Sequence, residues 1–523
     1  MVRAPNPRLI TLLSACAALA ACGADEIASP GSGGNITINN TTNNPAPTPP
    51  PPPPAASLVT PAAGCPTIDD PVGLFDAGTI SGPTGTYRVC DLPARLTRSS
   101  VLTKVPGLLY AINGRVDVGS DLGAVSGTGV TLTINAGVVL FAKTGTSWLA
   151  VNRGNKIQAV GTASSPIVFT SRDNVLGLAT DDSQGQWGGV VLLGRAPTTD
   201  CTVAPAATPG SAECERQTEG AVDPAYFGGA TPADSSGRMS YVQIRYSGYV
   251  LSGNSELQAL TLSGVGSGTQ IDHIQSHNSS DDAFEAFGGR VNMRHLVLTG
   301  ADDDNIDADT GYKGTLQYVI AVQKGTGNAD SIIELDSANT LEAQTPRTNI
   351  KIANFTFIHK NAAAGNGAAM LLRGGADSTL VNGVLTSTTS CLRLNGGNIL
   401  ATDATIDKVG APAFQSVVMQ CAATPFKASG TGITVDQVAA AFNAGANNSS
   451  TFTASLSNVF VNGANETALT AIDPKTVDAS FDTTNYVGAV KDANDTWYAG
   501  WTCNSTTANF GATSTACTSL PTL

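Results

Sequence analysis

Asp281, Asp282 and Glu285 in the stretch DDAFEAFGG recur 22 residues later as Asp303, Asp304 and Asp307 in DDNIDADTG. With Asp302 and Asp309, eight carboxylates fall between positions 281 and 309. If that period is one structural coil, each acid stands ~4.8 Å from its counterpart on the next. Like charges that close repel unless a cation lies between them or one of each pair keeps its proton. Three readings follow. The acids Asp281, Asp282, Glu285, Asp303, Asp304 and Asp307 could bind calcium, a hard cation that takes oxygen ligands in irregular geometry, with Asn278, Ser279, Ser280 and Asn305 completing the shell. Asp282 and Asp304 could instead work as an acid/base pair on a glycosidic bond, one protonated and one ionised. Or the acids occupy solvated turns and cap strand ends. No EF-hand loop and no Gly-rich calcium nonapeptide is present.

A second constellation surrounds the first. Tyr241, His273, His295 and Tyr318 begin four similar stretches, YVQIRYSG, HIQSHNSS, HLVLTGAD and YVIAVQKG, and a fifth, NFTFIHKN, begins at Asn354. Rings repeated at the coil spacing suggest either a platform for sugar rings, with Arg245 and His277 supplying hydrogen bonds, or a ladder that serves stability. All four histidines of the chain lie between positions 273 and 359. None has the spacing of a helical metal motif.

Positioning these residues requires a repeat of short strands. The five stretches are separated by 32, 22, 23 and 36 residues, which fits a parallel β-helix with a basic coil near 22 and longer insertions. Alternation within each stretch points Val242, Ile244, Ile274, Leu296, Leu298, Val319, Phe355 and Phe357 inward. The intervening positions are expected to face out. In this alignment Glu256 precedes Glu285, while Glu334 and Asp336 follow Asp307 and Asp309. Strand-like runs such as VTLTINAGVVLFA and WGGVVLLG dominate, and only Val435–Ala444 reads as a helix.

SWLAVNRGNKIQAVGTASSPIVFTSRDN, GQWGGVVLLGRAP, the run from SYVQIRYSG to ADDDNIDADTGYKG, and DANDTWYAGWTC near the end carry a family resemblance. Over roughly residues 100–505 the chain resembles exported bacterial right-handed parallel β-helix lipoproteins, most of them without assigned activity. The resemblance implies an all-β fold with right-handed winding, a solenoid with disulfide-stapled loops and a small C-terminal cap, where Trp497 and Trp501 would close the end. Polysaccharide lyases on this type of fold use Arg or Lys as the base and calcium to neutralise a uronate. Arg245, Arg290, Arg294 and Lys313 are the bases nearest the acids in sequence. The Asn-Thr-Asp and Arg-Ile-Lys motifs of polygalacturonase-like hydrolases are missing. The resemblance thus bears on fold more than on activity. The two constellations are read first as those of a noncatalytic binder of an extracellular ligand, a glycan first, at a calcium-supported face, as accessory partner of an outer-membrane transporter. A lyase or glycosidase at the same face and a structural or adhesion protein are the alternatives.

Both termini bear on compartment. Residues 1–21 carry Arg3 and Arg8 ahead of an apolar run, an export signal rather than a fold element. Leu19-Ala20-Ala21-Cys22 is similar to a lipobox, which implies lipidation at Cys22; with no aspartate directly after the cysteine, it implies outer-membrane sorting. Residues 22–60, rich in Asn, Thr and Pro, cannot bury enough apolar surface to fold and read as a tether. Residues 61–505 are then the body and 506–523 a tail. Eight cysteines remain in neighbouring couples, Cys65/Cys90, Cys201/Cys214, Cys391/Cys421 and Cys503/Cys517, an even number consistent with disulfides in an exported chain. Sequential pairing is one of many possible connectivities. The net charge of −13 argues against nucleic acid as a partner. If Cys22 carries the lipid, Cys22→Ser expressed in a Gram-negative host moves the protein from the membrane pellet to the soluble envelope fraction; a variant that still sediments with membranes would remove the anchor.

Overall fold

A computed structural model describes residues 58–521, apart from 220, 222, 253, 254, 338–340 and 364. The export signal, Cys22 and the tether up to residue 57 lie outside the described residues. Among those described, no helix is long and apolar enough to cross a membrane.

Each turn of the chain contributes one strand to each of two parallel sheets. The shorter sheet runs through Trp148–Val151, Val190–Leu193, Leu260–Ser263, Phe284–Phe287, Ile306–Asp309, Ile333–Leu335, Ala368–Leu372, Ser390–Asn395 and Phe426–Ser429. The longer sheet stacks Gly237–Arg245, Gln270–His277, Asn292–Thr299, Thr315–Val322, Asn349–His359, Asp377–Ser387 and Ala413–Cys421. This is the parallel β-helix that the repeat predicts.

Long strands change direction at a single residue in the left-handed region. Tyr241, His273, His295, Tyr318, Asn354, Asn382 and Ser416 all have φ between 47° and 62°, and the sheet pairing runs on either side of them: Ser240 opposite Asp272, then Val242 opposite Ile274. One such residue per coil bends the strand around the core, so the long sheet forms two faces of the solenoid. Asn tolerates this conformation readily; for Tyr and His it costs about 1–2 kcal/mol each.

The inward set is as the alternation predicts. Val242, Ile244, Ile274, Leu296, Leu298, Val319, Phe355 and Phe357 belong to one continuous core with Leu260, Phe284 and Ile306 from the short sheet. Four sequential disulfides are present: Cys65–Cys90, Cys201–Cys214, Cys391–Cys421 and Cys503–Cys517. Each closes a short loop, which restricts the unfolded chain by about 2–4 kcal/mol. The predicted helix is Val435–Asn443, capped by Thr434 and Gln437 in a reciprocal box. It closes the last coil by setting Phe442 on Phe414 and Phe426, 5.2 and 5.5 Å between ring centres.

The C-terminal quarter departs from expectation. Coils end at Ser429, so the body does not continue as solenoid to 505, and Trp497 and Trp501 do not close the last coil. The chain instead turns back and runs along the outside of the long sheet as a strap. Ser416 donates to Thr470 O, Asn382 bonds Ile472, Asn354 donates to Tyr486 O, and Gln317 bonds Asp482. Gln275 bonds Cys503, and Arg245 donates to Cys517 O and Ser519 O. Asn382, Gln317 and Gln275 each both donate to and accept from one strap residue, as a neighbouring strand would. Positions expected to face solvent are therefore covered: Val297, Ile320, Val322 and Ile358 pack against Phe460, Val490 and Trp501. Trp501 is fully buried. Trp501→Ala should lower the unfolding free energy by about 3–5 kcal/mol and raise amide exchange in the strap more than in the solenoid; exchange that changes equally in both would mean that the strap is no separate layer.

Candidate functional site on the acidic face

Between each long strand and the next short one lies a corner, and three corners in succession carry the acids. The register holds Glu285 opposite Asp307 and Asp307 opposite Glu334. At the corner, Asp282 Oδ1 accepts from Asp304 N at 3.0 Å, and Asp304 Oδ1 accepts from Ser331 N at 2.6 Å. The two repeats thus sit one above the other as their spacing predicts. Glu256 does not join them: it lies in a separate hairpin, Val250–Ser252 with Ser255–Glu256, and Thr261 takes the place before Glu285. That hairpin, inserted before Leu260, hid the shift.

Two groups of carboxylates converge. In Asp281, Asp282 and Asp303, and in Asp282, Glu285 and Asp307, one oxygen from each member lies within 4.8 Å of the others. Asp282, Glu285 and Asp304 are buried. Burial first, and neighbouring carboxylates second, push Asp282, Glu285, Asp304 and Asp307 well above the ordinary carboxylate range. Arg373, 2.7 Å from Glu334 and 3.0 Å from Asp336, offsets part of the charge at one end. Asp307 Oδ1 is shielded from solvent and accepts no hydrogen bond. An all-oxygen donor set with an unsatisfied carboxylate oxygen fits a hard divalent cation.

The basic candidates stand elsewhere. Arg290 and Lys313 occupy the corner after the short strand, whereas Asp282 and Asp304 occupy the corner before it. Eight residues separate Asp282 from Arg290 with the extended Phe284–Phe287 between them, on the order of 20 Å. The acids and those bases therefore do not form one catalytic centre. Arg294 is engaged with Asp482 of the strap at 2.9 Å.

The ring column is real but differently used. Tyr241, His273, His295 and Tyr318 stack with centres 4.2, 4.2 and 4.7 Å apart. Stacking directs the ring faces at one another along the solenoid, leaving edges outward, and Trp497 and Trp501 cover those edges at 5.1–6.3 Å. A sugar needs an aromatic face, so the predicted platform is not offered. Arg245 and His277 are fully buried beneath the strap and cannot reach a ligand. Burial, with Arg245 and Lys324 nearby, pushes His277 down to about 3, and its Nδ1 lies 3.0 Å from Thr299 Oγ1. Asp272, which the sequence reading passed over, stands with Oδ1 2.9 and 2.7 Å from Nδ1 of His273 and His295. Burial raises its pKa, but the two adjacent imidazoles, that of His295 hydrogen-bonded to it, outweigh that and hold it below the usual range.

A family model described as a pectate-lyase-like β-helix domain matches residues 108–502, well over half of the chain. Neither the curated proteins nor the solved structures yield a match. The acid stack has a consequence for stability. Carboxyls whose folded pKa is raised bind more protons folded than unfolded, so their contribution is favourable below about pH 4 and is lost as pH rises toward the folded values. In chelator, the thermal midpoint should fall between pH 4.5 and 7.5, and Asp282→Asn with Asp304→Asn should flatten that slope; an equally steep slope in the double variant would assign it to other groups.

Proposed function

Because the chain belongs to the family of pectate-lyase-like β-helix domains, we propose that its acidic face binds an extracellular glycan with the support of a divalent cation, calcium by the chemistry of its donors. The observation that carries this reading is the convergence of carboxylates from successive coils around the buried Asp282 and Glu285, with one shielded oxygen, Asp307 Oδ1, left unsatisfied. Asp281, Asp282 and Asp303 would hold one cation, and Asp282, Glu285 and Asp307 another or the same one displaced along the stack. A bound cation supplies positive charge that lets the acids stay ionised and can accept ligand oxygens.

Ala221, Ala225 and Phe227 cover the outer face of the short sheet over Trp148, Val191, Leu193 and Phe287, so the acid corners of successive coils, rather than the sheet face, are the repeated positions offered to a polymer. Binding rather than turnover is favoured because Asp282 and Asp304 spend an oxygen each on backbone amides. A lyase or glycosidase reading also lacks a free base beside the acids, since Arg290 and Lys313 stand at the far end of the strand and Arg373 is tied to Glu334 and Asp336. Export through residues 1–21, lipid anchoring at Cys22 in the outer membrane and service to an outer-membrane transporter complete the proposal. They rest on the lipobox-like and Pro-rich segments.

Calorimetric titration of the exported chain with calcium, after chelation, tests the reading. Wild type should bind calcium, and Asp282→Asn/Asp304→Asn should weaken binding at least tenfold, since each lost charge-assisted contact is worth about 1.5–3 kcal/mol. Glycan screening with and without calcium then reads the second half. No calcium binding, or unchanged binding in the double variant, would remove the cation from the face.

A further inference from the structure

The opposite corner of each coil, after the short strand, builds a groove with the other sign of charge. Arg290, Lys313 and Lys351 line a cavity of about 340 Å³ with Asn292, Asn349 and Ser480 among its walls. Register explains the convergence. Lys313 N donates to Gly289 O, and Thr315 pairs with Lys351, so three successive coils each bring one cation to the same edge. The strap closes the outer rim with Asp478 and Ser480. In a chain of net charge −13, three cations in one cavity are a local arrangement that composition does not explain.

The three cations are not equally satisfied. Lys313 is paired with Asp407, and Lys351 with Asp478 at 2.7 Å. Arg290 donates to the carbonyls of Gly289 and Gly311 at 2.5 and 2.9 Å and makes no ion pair among the described residues. Burial pushes its guanidinium down to about 10, where it remains charged at neutral pH. A guanidinium steadied by two carbonyls keeps further N–H donors in a fixed fork, which matches a carboxylate or phosphate. Amides and hydroxyls from Asn292, Asn349, Ser267, Thr315 and Ser480 make up much of the remaining lining. Such walls suit a hydroxyl-rich ligand better than a hydrocarbon, and the volume falls within the range of small-ligand pockets.

We propose that this corner groove binds a small anionic sugar, its carboxylate or phosphate on Arg290 between Lys313 and Lys351, and its hydroxyls on Asn292, Asn349 and Ser480. The site is separate from the acidic face and needs no metal. Asp478 orients Lys351 and leaves the groove positive.

The test is titration calorimetry of the exported chain at low salt in EDTA, which silences any cation on the acidic face. Probes are glucuronate, glucose 6-phosphate, inorganic phosphate and neutral glucose. Glucuronate or glucose 6-phosphate should bind more tightly than glucose and phosphate, and whichever of the two binds identifies the anion. Arg290→Gln and Lys351→Gln should each weaken that binding roughly tenfold. The thermal midpoint of each variant checks its fold, and Lys351→Gln, at a half-exposed position, keeps the test open if Arg290→Gln does not fold. Absence of binding by both anionic sugars, equal binding of glucose, binding of phosphate as tightly as the sugar phosphate, or undiminished affinity in folded variants would each overturn the proposal.

Discussion

Every side chain of a parallel β-helix sits ~4.8 Å from its counterpart on the next coil, and that spacing turns any repeated residue into a column. Columns of leucine, isoleucine and phenylalanine merge into the core. A column of acids is another matter, because parallel stacking offers no alternation of sign. Glu285, Asp307 and Glu334 stand in one row, and Asp282 and Asp304 in another, each reduced to accepting a backbone amide from the coil below. Such rows persist only if protons or cations compensate them, which makes the acidic face sensitive to both.

The same spacing governs the bend in the long sheet. A left-handed residue in each coil lets the strand turn within one position, at a backbone cost that Asn bears easily and aromatic residues do not. Tyr241, His273, His295 and Tyr318 meet that cost by stacking on one another, where each ring pair contributes about 0.5–1.5 kcal/mol, and by anchoring His273 and His295 on Asp272. Trp497 and Trp501 then lie across the ring edges. What looks like an exposed aromatic stripe is thus an internal seam between solenoid and strap. With the long sheet under the strap and Phe227 packed on Phe287 over the short one, the two corners flanking the short sheet are where ligands can be sought, one acidic and the other basic.

Much of this was legible from residue order. The alignment of five stretches at Tyr241, His273, His295, Tyr318 and Asn354 is the observed register, because the hydrophobic alternation on either side of those residues tolerates no slip. The strap was missed, although a signal for it exists. HLVLTG and YVIAVQKG are apolar at consecutive positions, Val297 beside Leu298 and Ile320 beside Ala321, and continuous runs of that kind mark strands covered on both faces. Gln243, Gln275 and Gln317 gave no such warning, since an outward amide reads as solvated until a backbone is found against it. Glu256 was misplaced for a different reason: the Val250–Glu256 hairpin breaks the period, and spacing alone cannot say which residues an insertion removes from the coil.

By itself the sequence determined the coil, its inward residues, the capped helix and the stacking of the two acid repeats, because period and alternation are local properties that steric packing reads directly. Only the tertiary structure decided which outward residues meet solvent. That depends on where residues 450–521 return, and the return is set by contacts between segments more than a hundred residues apart: Gln275 with Cys503, Arg245 with Ser519. It also separated Arg290 and Lys313 from Asp282 and Asp304. Neighbours in sequence are carried to opposite ends of an extended strand, while residues a full coil apart are brought together.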